Sequence, residues 1–173
     1  MPAASSTVPL ETTVHVRDTC LCLHVQRAAR ALAARFDEAL RPAGLTNSQF
    51  SLLNALNGPR PKTPAAVAAV LGADRTTVTA ALKPLVRRGL AHITRDPNDR
   101  RVRRIALTAE GHARLVAAVP LWTEAHEALE AELAGADPGQ LRHNLDALSA
   151  ARRPAPTHRP GDASTATPRV GRP

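Results

Sequence analysis

The side chains best placed for chemistry in this sequence are arginines and threonines, not nucleophiles. Arg75-Thr76-Thr77-Val78-Thr79 opens a segment whose helical spacing turns Val78 and Leu82 inward. That leaves Arg75, Thr76, Thr79, Ala80 and Lys83 facing out. A guanidinium can bond a guanine edge bidentately, and a threonine offers a hydroxyl for base edges or phosphates and a methyl for thymine. Arg87 and Arg88, at the end of the same segment, suit contact with a phosphate backbone. Further on, Asp96-Pro97-Asn98-Asp99-Arg100-Arg101 is a turn-rich connector whose Arg100 and Arg101 can reach a minor groove or phosphates. No Ser/His/Asp arrangement, glycine-rich phosphate loop or HExxH pattern is present, so no catalytic residue, cofactor or enzyme activity is expected.

The two cysteines, Cys20 and Cys22, fall on a stretch predicted as helix, where residues two apart point about 200° from each other and cannot bridge. Cys22 shares the side of Val25, Ala29 and Phe36 and is expected to be buried, whereas Cys20 lies near His24 and Arg27. Two readings stay open: a small buried hydrophobe, or a redox-sensing thiol activated by a basic neighbour such as Arg27. Cys20 and His24 have a metal-compatible spacing, but no further ligand cluster accompanies them and no metal site is expected.

Charge locates the interesting region. The 173 residues carry 23 basic and 15 acidic side chains, a formal net charge of +8. Residues 75–104 hold nine basic residues against Asp96 and Asp99, a balance of +7, and residues 152–173 add +4. A polyanionic partner follows from such a concentration. Apolar residues are 43% of the chain, as in a globular protein, and aromatics only 2%. No run of about 18 apolar residues occurs, so no membrane span is expected. No secretory signal is read at the start, and two cysteines are too few for a disulfide scaffold. Residues 1–16 read as a flexible N-terminus and 151–173 as a disordered, basic, proline-rich tail.

The elements that must position these residues are mostly helices. Leu21, Val25, Ala28, Leu32, Phe36 and Leu40 recur at helical spacing over 19–41, which Pro42 and Gly44 end. Thr46 with Gln49 forms a capping-box pattern for a helix with Phe50, Leu53 and Leu56 inside. Thr63 and Pro64 start a short helix with Val67, Val70 and Leu71 inward, and Gly72-Ala73 turns the chain. Asp74 caps the next helix, which ends at Gly89. Pro84 should bend this helix, although its apolar stripe continues through Leu85. Residues 90–95 and 102–107 read as a β-hairpin with a charged tip. Thr108 caps a long helix bearing Leu115, Val119, Trp122, Ala125 and Leu129, kinked at Pro120, and 140–150 form a last short helix.

Helix, short turn, helix, β-hairpin is the order of a winged helix-turn-helix, whose second helix enters the major groove. Residues 20–130 resemble the MarR family of bacterial transcription regulators. The resemblance rests on Ala39-Leu40-Arg41-Pro42-Ala43-Gly44-Leu45-Thr46 with Gln49-Phe50, on Asp74-Arg75-Thr76-Thr77-Val78-Thr79, and on Arg88-Gly89-Leu90. It rests further on Asp96-Pro97-Asn98-Asp99-Arg100-Arg101 and Leu107-Thr108-Ala109-Glu110-Gly111. It implies a mainly α fold with a small hairpin wing in a domain spanning 17–150. The winged helix-turn-helix would cover about 46–108, and helices 19–41 and 109–150 would form a homodimer.

The resemblance also implies a cytoplasmic, nucleoid-associated regulator, most often a repressor. It would bind a pseudo-palindromic duplex operator and be released by a small apolar or phenolic ligand or by oxidation. The expected DNA-contacting set is Arg75, Thr76, Thr77, Thr79, Lys83, Arg87, Arg88, Asn98, Arg100, Arg101 and Arg103. Arg101 matches the minor-groove arginine of the wing, with Asp99 as its orienting partner. Cys22 aligns with the reactive cysteine of the hydroperoxide-sensing branch, whose tyrosines are here replaced by Gln26, Phe36 and Asn47. The competing class is a winged helix used for protein contact without specific DNA binding. Such a module would tolerate neutral residues where Arg75 and the threonines stand.

Overall fold

The structure, a computed structural model, describes residues 7–133 and 135–150. The expectations for residues 1–6 and for the tail 151–173 lie outside the described residues. The order is α1 (Leu10–Thr19), α2 (Leu21–Leu40), a 3-10 turn (Arg41–Ala43), α3 (Asn47–Leu56), α4 (Pro64–Leu71), α5 (Arg75–Arg87), β1 (Ala91–Arg95), β2 (Arg103–Leu107), α6 (Ala109–Glu132) and α7 (Pro138–Ala150). The chain divides into two units near residue 134, the second containing α7.

Capping decides most of the boundaries. Thr46 accepts from the Gln49 amide at 3.2 Å while Gln49 Oε1 accepts from the Thr46 amide at 3.3 Å, the reciprocal box read from the sequence. Thr63 and Thr108 accept from Ala66 N and Gly111 N at the starts of α4 and α6. Gly44, Gly72 and Gly89 take positive φ where α2 with its 3-10 turn, α4 and α5 hand over to the next element. Both α5 and α6 run through their prolines, Pro84 and Pro120, as single helices. Tertiary packing of Leu82 and Leu85, both buried, holds α5 together across the missing N–H.

The core of the first unit is aliphatic. Leu40, Leu53, Val67, Leu82, Leu85, Leu90 and Ile105 are fully buried, joining α2 to α5 with the hairpin. Phe50 stacks on Trp122 at 6.0 Å between ring centres, and Trp122 lies 4.7 Å from the His126 ring, which closes the seam between α3 and α6. The hairpin is antiparallel, Ala91 opposite Leu107 and Arg95 opposite Arg103. A third short strand position joins it: Lys62 exchanges two 2.8 Å backbone bonds with Ile105. The bridge anchors the hairpin to the connector between α3 and α4.

Four expectations are corrected. Residues 10–16, read as flexible, belong to α1; Glu11 in its first turn and Arg17 in its last both suit the helix dipole. The predicted 19–41 helix is interrupted at Cys20, whose backbone is extended (φ −72°, ψ 101°), and it ends at Leu40. In α4, Val70 is exposed and Ala68 is buried instead. Val67, Leu71 and Ala68 span about 100° of the helix, and Val70 lies on the other flank of that stripe. In α6, Val119 is exposed, while Trp122, Ala125 and Leu129 pack at the core edge.

Candidate nucleic-acid interface

α4 and α5 meet at 103°, the geometry of a helix-turn-helix pair. Asp74 fixes the start of α5: its carboxylate accepts from the Thr77 amide at 2.8 Å and from the Thr77 hydroxyl at 2.7 Å. These bonds hold the Asp74 carboxyl below the usual carboxylate range. The Thr77 hydroxyl is thereby committed to the cap. Arg75, Thr76, Thr79, Ala80 and Lys83 line one shallow concavity on the outer face of α5, the set that the inward stripe of Val78 and Leu82 predicts. Thr79 donates its hydroxyl to the Arg75 carbonyl at 2.7 Å, which leaves its lone pairs and methyl outward.

The wing is organised by Asp96. The Asp96 amide donates to Val102 O at 2.9 Å, closing the tip. Its Oδ1 accepts from Asn98 N at 2.8 Å and Asp99 N at 3.3 Å, and its Oδ2 from Arg104 Nε at 2.5 Å. Asp96 is the buried charged side chain of the core, 7% exposed, among the described residues. The Asn98 amide first, then the Arg104 guanidinium, push its carboxyl below the usual range against the opposing effect of burial. The sequence reading assigned orientation to Asp99 and gave Asp96 and Arg104 no role. The available signal was Asp-Pro-Asn-Asp, an Asx-turn pattern, with an arginine eight residues after its first acid. Asp99 does meet Arg101, but through the backbone: its Oδ1 accepts from the Arg101 amide at 2.9 Å.

The structure brings part of the predicted set together. Arg75 from α5 and Arg101 and Arg103 from the wing line one concavity with Thr63, Pro64 and Ala65 at the start of α4. Among the described residues, the side chains of Arg75, Lys83, Arg87, Arg100, Arg101 and Arg103 take no protein partner, so these cations are left for solvent or a ligand. Arg88 is turned the other way. Its guanidinium donates to Gln49 Oε1 at 3.0 Å and to Gly44 O at 2.8 Å.

The thiols also depart from expectation. Cys22 is exposed in the second position of α2 and its Sγ accepts from Gln26 Nε2 at 3.3 Å; Cys20 is half-buried and lies outside the helix. The break at Cys20 removes the helical premise used to set the two side chains apart. Phe36 is buried in the core, and the Asn47 amide bonds Asp37 at 2.6 Å. Among the described residues no cluster of three or more His, Cys, Asp or Glu can hold a metal, and no single helix is long and apolar enough to cross a membrane.

Comparison with known proteins defines the class. A sequence model of the MarR family matches residues 43–102. No curated protein sequence matches the chain. Among solved structures, the Mycobacterium tuberculosis transcriptional regulator MosR in complex with DNA is 39% identical, covering 76% of this chain and 95% of its own, with a TM-score of 0.70. The transcriptional repressor CouR bound to a 23-mer DNA duplex is 32% identical, covering 84% and 96%, with a TM-score of 0.61. CouR from Rhodococcus jostii RHA1 bound to p-coumaroyl-CoA matches at 25% identity, 80% and 95% coverage and a TM-score of 0.63. The chain belongs to the MarR family of winged-helix transcriptional regulators, and its function is DNA-binding transcriptional regulation.

Proposed function

We propose that this regulator is a homodimeric repressor that holds a pseudo-palindromic operator, α5 in the major groove and the wing at the adjacent minor groove. The convergence of Arg75, Arg101 and Arg103 on one concavity carries this reading, because no acidic side chain lines it. The base-reading residues are Arg75, Thr76, Thr79 and Lys83; Arg101 enters the minor groove; Arg87, Arg100 and Arg103 serve phosphates. Footprinting on the intergenic DNA beside its own gene tests it, with protection over two half-sites about one helical turn apart as the expected result. Absence of any protected site there sinks the repressor reading.

Two observations support the dimer. Leu21, Val25 and Leu32, the predicted apolar stripe of the first long helix, are exposed in the single chain. Leu141, Leu145 and Leu148 of α7 are exposed too. A soluble chain buries such stripes against a second copy. Release follows from a small apolar or phenolic ligand, or from oxidation. The exposed Cys22 thiol favours the second route, and replacing it (Cys22→Ser) then makes DNA release insensitive to cumene hydroperoxide. A wild-type protein that keeps its operator after that treatment removes the redox route.

A further inference from the structure

We propose that Arg88 is a positioning residue that clamps the recognition helix to the corner where α2 ends, and thereby sets operator-specific affinity without contacting DNA. The inference rests on the dimeric, α5-reading arrangement proposed above. Helix α2 has no basic residue in its last turn, and its C-cap Arg41 gives its guanidinium to Glu38 at 2.6 Å. Two of the corner's carbonyls are satisfied by backbone: Leu40 O accepts from Leu45 N and Arg41 O from Gly44 N. The carbonyls of Ala43 and Gly44 are taken by guanidiniums from distant elements. Arg114 of α6 donates to Ala43 O at 3.3 Å, and Arg88, the C-cap of α5, donates to Gly44 O at 2.8 Å.

Each guanidinium is braced by a second acceptor. Arg114 is held by Glu110 at 2.8 Å, and Arg88 by Gln49 Oε1 at 3.0 Å. That same Gln49 oxygen closes the capping box of α3. The fork of Arg88 therefore ties three starting or ending points together: the end of α5, the start of α3 and the end of α2. Helix α5 packs chiefly on α3, α4 and β1, and α2 on α6 and α3, so α2 and α5 meet through α3, whose start the Arg88 fork grips. In a dimer built through the long helices, this tie transmits their geometry to the reading head. Non-specific binding depends on phosphate charge and tolerates small changes of angle. Base-edge hydrogen bonds do not, and two reading helices must meet half-sites one turn apart.

The test uses full-length protein and the duplex defined by footprinting, beside a scrambled duplex of equal length, in anisotropy titrations over a range of salt. Arg88→Met keeps the aliphatic stem and removes the fork. It is expected to weaken operator binding about tenfold, leave scrambled-duplex binding unchanged and leave the salt slope unchanged. Gln49→Leu removes the brace without removing a cation and is expected to shift the operator in the same direction, also without changing the slope. Gln49→Glu keeps an acceptor for both bonds and is expected to behave as wild type. Equal losses on both duplexes, with a salt slope reduced by about one, make Arg88 a phosphate contact and overturn the proposal. Unchanged operator affinity in both Arg88→Met and Gln49→Leu overturns it as well. If Arg88→Met does not fold, the Gln49 pair decides on the same criteria. A wild type that fails to distinguish the duplexes, or sediments as a monomer, removes the underlying reading and this proposal together.

Discussion

Arg101 leaves the wing with its amide tied to the Asp99 carboxylate and its guanidinium bonded to nothing among the described residues. A cation so placed loses no protein contact on meeting DNA. Arg101→Ala is therefore expected to weaken operator binding by about 1–3 kcal/mol while the unfolding midpoint stays put, measured by anisotropy and urea titration. A matching drop in stability removes Arg101 from the interface. Asp96 has the opposite character, since its contacts are all internal. Its carboxyl is depressed in the folded chain, so its contribution is present above the ordinary carboxylate range and is lost as pH falls below it. Protection of the Asn98 and Asp99 amides, taken against the intrinsic exchange rate at each pH, is expected to fall on that acid limb, and Asp96→Asn is expected to show low protection already at neutral pH. Of the two wing acids, the expected Asp99 does bond Arg101, through its amide, while Asp96 ties the turn to Arg104. Both stand in the same short motif, and only burial and the return of Arg104 from β2 tell them apart.

At the scale of elements, capping residues made boundaries legible, because a Ser, Thr or Asp three residues before its amide partner is a local signal. Thr46→Ala is expected to cost about 1 kcal/mol in urea unfolding, through loss of the α3 box. Long-range fits were not legible in the same way. Gly111 reads as one more residue of a helix start, yet a Cβ there would meet the Leu90 carbonyl oxygen at 1.9 Å. Backbone cannot yield as a flexible side chain would. Gly111→Ala is thus expected to destabilise by about 1–3 kcal/mol or more, and a neutral result in thermal unfolding contradicts that packing. The Lys62 bridge to Ile105 leaves no mark on the sequence for a related reason: a single pairing position has no periodicity. The break at Cys20 was hidden by apolar spacing that continues across it.

At the scale of the molecule, the order of elements was enough to give the winged helix-turn-helix, because each helix and hairpin carried its own start and stop. What the sequence order could not show is which apolar side chains find partners within one chain. Phe36 and Leu40 of α2 are buried within the chain, and Leu21, Val25 and Leu32 stay exposed. Sedimentation at micromolar concentration is expected to give a dimer, and a monomer contradicts that account of the exposed stripe. The uneven charge has a thermodynamic counterpart. Operator affinity is expected to fall steeply and linearly on a log–log plot against salt, with a slope near −0.9 per phosphate neutralised.

Trp122 brings one more consequence. The chain has a single tryptophan and no tyrosine, so its ultraviolet emission comes from one place. That indole lies between Phe50 of α3 and His126 of its own helix, where the DNA-reading half meets the long helices. Light from this one fluorophore therefore reports the seam itself, without a label. Any ligand, oxidant or duplex that shifts α3 against α6 changes its colour or yield, and one that leaves the seam alone leaves the spectrum alone.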